Sequence, residues 1–357
     1  MSTSLGMTLE QLSAAWQADL RSPFPYFGGK RRIASQVWRR FGTVRNYVEP
    51  FAGSLAVLLE RPRPFDGTET VNDLNGWLCN FWRALQADPD AVAHHADWPV
   101  SELDLHARGD WLFYRPGVAE WIEKLRANPD FYDAKSAGWW AWGQCSWIGT
   151  GWGTVSGNAA GTAMRRSRPH LSEGRGVNRQ LPHLGDAGRG VPDDTPLTET
   201  SRTLALREYL RGLAERLRMV RVCCGDWARV CTPAVTTAHG LTAVFLDPPY
   251  GVTDREQKCY GDEDSLTVSS GVRAWAIEHG DDPRMRIALC GYEGEHIMPA
   301  SWECLAWKTL GGHANQRKNG TNDNGKRERV WFSPHCCTIK AETNNHSLFA
   351  TAGANGD

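Results

Sequence analysis

The chain carries almost no net charge. Across 357 residues, 40 Lys and Arg face 41 Asp and Glu, a formal net charge of −1. This excludes a polycation held to nucleic acid by its overall field, so any such surface must be a local patch. No Cys-x-x-Cys occurs among the 10 cysteines, and only Cys223-Cys224 and Cys336-Cys337 are adjacent. A zinc site is not expected, and no other metal site suggests itself. A chain of this length with 41% hydrophobic residues can fill a core without a disulfide framework, so reduced thiols are expected. No apolar run approaches a membrane span, and the N-terminus lacks a charged region followed by an apolar stretch. The expectation is a cytoplasmic protein without membrane contact, with a monomer as the simplest state.

What is abundant is tryptophan, with 17 residues. That load suggests aromatic surfaces beyond core filling. The pattern along the chain is that of an α/β protein. Residues 8–20 read as a short amphipathic helix. After Pro23-Phe24-Pro25-Tyr26-Phe27-Gly28-Gly29-Lys30 comes a helical stretch over residues 31–41. A P-loop needs Gly where Phe24 stands and Ser or Thr where Arg31 stands, so nucleotide hydrolysis is disfavoured. Residues 47–54 (Tyr-Val-Glu-Pro-Phe-Ala-Gly-Ser) read as a strand, a tight turn and a helix start, continued by a buried helix over 55–59. The small residues allow close backbone approach to a ligand; they also suit an ordinary βα turn. Residues 69–75 read as a second strand ending in an acid, followed by a helix over 78–85. Asp73 stands where ribose hydroxyls are bound in such folds, and equally where a helix N-cap falls.

Residues 98–200 interrupt this rhythm with short helices, one near 119–127, and a Trp-rich stretch from Trp139 to Trp152. A Gly/Arg-rich stretch over 165–189 follows, with six arginines against Glu173 and Asp186, a local excess of +4. It suits phosphate contact, and it also suits a solvated loop. The α/β pattern then resumes: a helix over 203–218, a strand over 220–224 leading to Gly225-Asp226-Trp227, and a strand over 243–246 leading to Asp247-Pro248-Pro249-Tyr250. A helix over 268–279 and strands over 286–292, 302–308 and 329–333 complete it. Residues 251–282 carry a local net charge of −5, which duplex DNA should avoid. Residues 341–357 read as a disordered tail.

Asp247-Pro248-Pro249-Tyr250 carries the most chemistry. Alone it is a common turn signal. At the carboxyl end of a strand in an open sheet it lies where ligands bind. There an acid and a proline carbonyl can accept hydrogen bonds from a planar amine-bearing base, while an aromatic ring stacks on its face.

In order, Phe-Pro-Tyr-Phe-Gly-Gly-Lys, Glu-Pro-Phe-Ala-Gly-Ser, Asp73, Asp226 and Asp-Pro-Pro-Tyr resemble the Dam-like DNA adenine methyltransferases. The resemblance covers roughly residues 22–85 and 203–333. It implies a Rossmann-like S-adenosylmethionine-dependent methyltransferase fold with an inserted, largely helical and loop DNA-recognition region. The implied division is 1–97 and 201–340 as two parts of the catalytic domain, with 98–200 as the recognition region. The implied activity is methyl transfer to the exocyclic amine of a flipped adenine in DNA. Tyr26, Phe27, Gly28, Gly29 and Lys30 would lie against the methionine end of S-adenosylmethionine. Glu49, Pro50, Phe51, Ala52, Gly53 and Ser54 would form the cofactor loop. Asp73 would bind the ribose and Asp226 the cofactor's adenine amine, and Asn75 and Trp227 would also lie at the cofactor. Asp247, Pro248, Pro249 and Tyr250 would grip the target base. Arg165, Arg166, Arg168, Arg175, Arg179, Arg317 and Lys318 are the candidate DNA contacts. The chain departs from the family at Glu49, often Asp; at Leu55, where a second Gly is common; and at Pro25, where many members carry Lys. The rival readings are amine methylation of cytosine or of an RNA base, and a DNA-binding member without catalysis. A Rossmann dehydrogenase is disfavoured, because no Gly-x-Gly-x-x-Gly is present.

Overall fold

The apolar runs read as strands lie side by side in one sheet. A computed structural model describes residues 20–26, 29–128, 130–147, 152, 199–250, 264–307 and 327–339. The strands are β1 (Asn46–Glu49), β2 (Thr68–Asp73), β3 (Val220–Cys224), β4 (Thr242–Leu246), β5 (Met285–Tyr292), β6 (Glu303–Ala306) and β7 (Glu328–Phe332), in the order β3-β2-β1-β4-β5-β7-β6. The first five run parallel to their neighbours. β7 is antiparallel to both β5 and β6. Every residue of β1 and β4 is buried, as central strands covered on both faces require. The strand order reverses between β1 and β4, and that switch point opens a crevice at the carboxyl edge.

The helices are α1 (Arg31–Phe41), α2 (Ala56–Leu59), α3 (Gly76–Ala87), α4 (Pro89–Ala96), α5 (Glu102–Tyr114), α6 (Val118–Ala127), α7 (Ala134–Ser146), α8 (Glu199–Leu217) and α9 (Asp264–His279). Local chemistry explains their ends. α1 buries Ile33, Val37 and Phe41 at helical spacing and places Arg39 and Arg40 in its last turn, where a cation suits the dipole. The Asn75 side chain caps α3 by accepting from the Trp77 and Leu78 amides. Asp88 caps α4, and Pro89 fills its first position. Asp133 caps α7 through the Ser136 amide.

Two core clusters flank the sheet. One holds Val48, Val244, Leu246, Ile287 and Leu289 against Val272 and Trp302. The other joins Tyr47, Val71 and Phe245 to residues of α3, α5, α7 and α8. The Trp-rich stretch is thus largely interior: Trp140 and Trp142 are wholly buried on α7. α7 seats closely on α4, because a Cβ at Gly138 would stand 2.5 Å from His95 Cβ and 2.7 Å from the Val92 carbonyl.

Some boundaries differ from expectation. The helix read over 55–59 begins only at Ala56, since Leu55 takes a left-handed backbone, φ 57. The strand read over 302–308 shrinks to Glu303–Ala306. The expected helix over 8–20, the Gly/Arg-rich stretch, residues 251–263 and the tail lie outside the described residues, Leu20 excepted.

Candidate active site

The carboxyl ends of β1, β2, β3 and β4 bring the loops that follow them to one edge. β7, running the other way, delivers its first residue there: Glu328 stands opposite Tyr292 in the register of β5 and β7.

At the end of β4, Asp247 is the hub. Lys30 Nζ lies 2.8 Å from Asp247 Oδ2. The Tyr250 hydroxyl lies 3.1 Å from Asp247 Oδ1 and 3.0 Å from Glu328 Oε2. One hydroxyl proton cannot serve both acceptors fully. Burial raises the pKa of Glu328, against the pull of Lys30. Burial, then the Asp247 carboxylate, hold the Tyr250 phenol well above its ordinary range. For Lys30, burial opposes the charge, but Asp247 and the other acids around it win, and its pKa is raised. The Lys30 ammonium sits 5.2 Å from the Tyr250 ring centroid, and Tyr292 meets that ring edge-on at 4.6 Å. Pro248 is buried, and Pro249 is half-buried.

The loop after β1 forms the second part. Glu49 is 3% exposed and accepts from the Tyr47 hydroxyl at 2.9 Å. Its burial pushes its pKa well above the carboxylate range despite that bond. Gly53 has φ 45, and a Cβ there would stand 3.2 Å from Tyr26 Cδ1, so glycine serves both the turn and the close approach of Tyr26. Asp73 ties the loop to β2. Its Oδ2 accepts from the Gly53 amide at 3.0 Å and its Oδ1 from the Asn75 amide at 2.9 Å. Burial raises the Asp73 pKa, and these amides oppose the rise. The Ala52 amide donates to the Asn72 carbonyl, and Ser54 is half-buried in the turn.

At the end of β3, Asp226 is exposed and accepts from the Ala228 amide at 2.9 Å, capping a short 3-10 turn. The Trp227 ring faces Phe51 at 6.3 Å with an interplanar angle of 26°. Asn72 binds these loops from below: its Nδ2 donates to the Pro50 and Gly225 carbonyls, while its buried Oδ1 has no partner.

Most sequence-derived candidates therefore lie along one edge of the sheet, at the carboxyl ends of neighbouring strands. Lys30, expected beside the cofactor, is paired with Asp247. Asn75, expected at the cofactor, uses its side-chain oxygen as the α3 cap. Gly29 is exposed next to Lys30. Phe27, Gly28, Arg165, Arg166, Arg168, Arg175, Arg179, Arg317 and Lys318 lie outside the described residues. Sequence reasoning missed Glu328, Tyr292 and Asn72. The last strand was read from Arg329, one residue late, which left Glu328 in a loop. Among the described residues, no group of three or more His, Cys, Asp and Glu could hold a metal ion, and no helix is long and apolar enough to cross a membrane.

A mostly parallel seven-stranded sheet with this crevice is a Rossmann-like methyltransferase fold. A family model, D12 class N6 adenine-specific DNA methyltransferase, matches residues 26–131. The match bears out the resemblance to the Dam-like adenine methyltransferases. No curated protein matches the chain.

Proposed function

We propose that the chain transfers a methyl group from S-adenosylmethionine to the exocyclic amine of an adenine extruded from DNA. Two independent signals support this reading. The family match ends at residue 131, and the Asp-Pro-Pro-Tyr cluster lies wholly beyond it, yet the fold brings both parts to one crevice. The observation that carries the reading is Asp247, anchored by Lys30 and Tyr250 at the switch point.

The crevice suits S-adenosylmethionine. It offers a glycine turn under Tyr26, an acid at the end of β2, paired rings at Phe51 and Trp227, and the unpartnered Asn72 Oδ1 beneath. Tyr26, Gly53, Asp73, Asp226 and Trp227 would hold it, and when bound it supplies an electrophilic methyl group. Asp247 and the Pro248 carbonyl would accept the hydrogens of the target amine, drawing its nitrogen toward tetrahedral geometry. Lys30 fixes Oδ2, which sets the carboxylate plane. Tyr250 offers its ring to the base, and its hydroxyl holds Oδ1 in place. Asp247 is placed to receive the proton that the methylated amine releases. Alignment and preset electrostatics carry the rate gain. Extruding a base costs a few kcal/mol, offset by stacking and phosphate contacts. Residues 98–200, with the arginines of 165–189, take the recognition role in this reading.

The test is incubation with labelled S-adenosylmethionine and duplex DNA, followed by nucleoside analysis. Label in N6-methyl-2′-deoxyadenosine that disappears with Asp247→Ala is the expected result. Label in cytosine, in RNA alone, or nowhere overturns the assignment.

A further inference from the structure

Arg108 is a buried cation held by rings in place of an acid. On α5 it is 7% exposed, and its guanidinium carbon lies 4.6, 4.8 and 4.5 Å from the ring centroids of Trp98, Trp139 and Trp142. Its Nη1 has no hydrogen-bond partner, and burial lowers its pKa, with Asp104 as the opposing charge. A buried charge without a paired acid is costly and calls for an anion. Arg108 lines a cleft of about 550 Å³ between α4, α5, α7 and α8. Arg207 of α8 lines the same cleft, and its buried Nε also lacks a partner.

The other walls narrow the ligand. Trp111 and Trp139 meet edge-to-face at 5.1 Å, and Trp98 is 45% exposed. Lys135 lies 4.8 and 4.4 Å from the Trp111 and Trp139 ring centroids. Two acids also border the cleft, and both already accept hydrogen bonds: Asp104 from Trp98 Nε1 at 2.6 Å, and Asp97 from the Thr203 hydroxyl. These acids repel a bare phosphate but accept from a ring amine. Flat apolar walls, cationic donors and carboxylate acceptors together suit a planar amino-bearing base joined to an oxyanion. No residue of Asp-Pro-Pro-Tyr borders the cleft.

We propose that this cleft is a nucleotide site separate from the catalytic crevice. A base would stack on its tryptophans, and a phosphate would be held between Arg108 and Arg207. The nucleotide is either free or one unstacked unit of a strand. α7 connects the two places: Trp139 lines the cleft, while the next residue, Trp140, packs 6.4 Å from the Tyr26 ring.

The test is calorimetry on the full chain without turnover, and the comparison of cleft variants with Asp247→Ala separates a failure here from a failure of the methylation reading. The probes are dAMP, deoxyadenosine and a single strand of about 12 nucleotides. Arg108→Gln and, because the first variant can fail to fold, Trp98→Ala at the exposed rim are compared with Asp247→Ala. The expected result is dAMP binding at least about tenfold tighter than deoxyadenosine, weakened about tenfold or more by either cleft variant and unchanged by Asp247→Ala. The same variant pattern with the strand alone assigns the site to a strand nucleotide. Absence of binding by both dAMP and strand, binding indifferent to both cleft variants, or deoxyadenosine binding as tightly as dAMP overturns the proposal.

Discussion

Lys30 and Asp247 form an ion pair of 2.8 Å across the switch point, with the lysine side chain 4% and the carboxylate 19% exposed. The pair joins the loop before α1 to the end of β4. In the proposed reading the pair gives Lys30 a part in holding Asp247, where the sequence had suggested cofactor contact.

Deleting only the cation leaves Asp247 near Glu328 and Glu49 without its counter-charge. Lys30→Met is expected to destabilise the fold by about 2–4 kcal/mol, toward the lower side of the range for broken buried pairs because Asp247 keeps some solvent. Adding Asp247→Asn should recover at least half of that loss. Urea unfolding of the two single variants and the double variant measures the coupling; additive losses would show that the pair is incidental.

The Tyr250 hydroxyl holds Asp247 and Glu328, and its ring, met edge-on by Tyr292, is the proposed stacking surface. Tyr250→Phe removes hydrogen bonds of ordinary strength and should slow single-turnover transfer by about tenfold. Tyr250→Ala also removes the stacking surface and should slow it by about a hundredfold or more. Equal losses for the two variants would exclude the stacking role.

Leu55 holds a left-handed backbone, φ 57, while its side chain is wholly buried. Both Leu55→Ala and Leu55→Gly lose the core contact, at about 2–5 kcal/mol. Glycine also relieves backbone strain of about 1 kcal/mol, so Leu55→Gly should be the more stable of the two, the reverse of the usual order. Denaturant midpoints decide it, and a less stable glycine variant would refute the strain.

Cys224 pairs in register with Asp73 and has its pKa lowered to about 7 by a hydrogen bond with Cys79, against burial and with help from Arg126. Its thiolate fraction therefore grows as pH rises through about 7. Burial pushes Cys231 up to about 12, so it stays protonated at neutral pH. Alkylation with iodoacetamide, read by peptide mass spectrometry, should modify Cys224 well before Cys231, with a rate rising between pH 6 and 8, about one unit either side of that pKa. A flat pH profile at Cys224 would show that its neighbours do not activate it.

The sheet was legible because strands carry a local signature. Residues 243–246 are an apolar run closed by Asp-Pro, and they fold as the fully buried β4. Asp73 and Asp226 were found because an acid after such a run marks a strand end. Partnerships between distant segments leave no such mark. Nothing around Glu328 announces Tyr250, since that contact depends on β7 reversing direction beside β5. Asn75 has a local role as the α3 cap, and its position beside Asp73 is what drew it into the ligand reading. Leu55, where the resemblance leads one to expect glycine, takes a left-handed backbone that glycine adopts without strain.

The placement of β7 also governs when the site comes into being. Among the described residues β6 bonds to the sheet only through β7, so it has no partner until that strand arrives. A nascent chain halted on the ribosome before residue 328 already contains Asp247 and Tyr250, yet it has neither a closed sheet edge nor the acid that fastens the phenol. Assembly is deferred until residue 328 has been made, and shorter polypeptide carries the motif in an unassembled form.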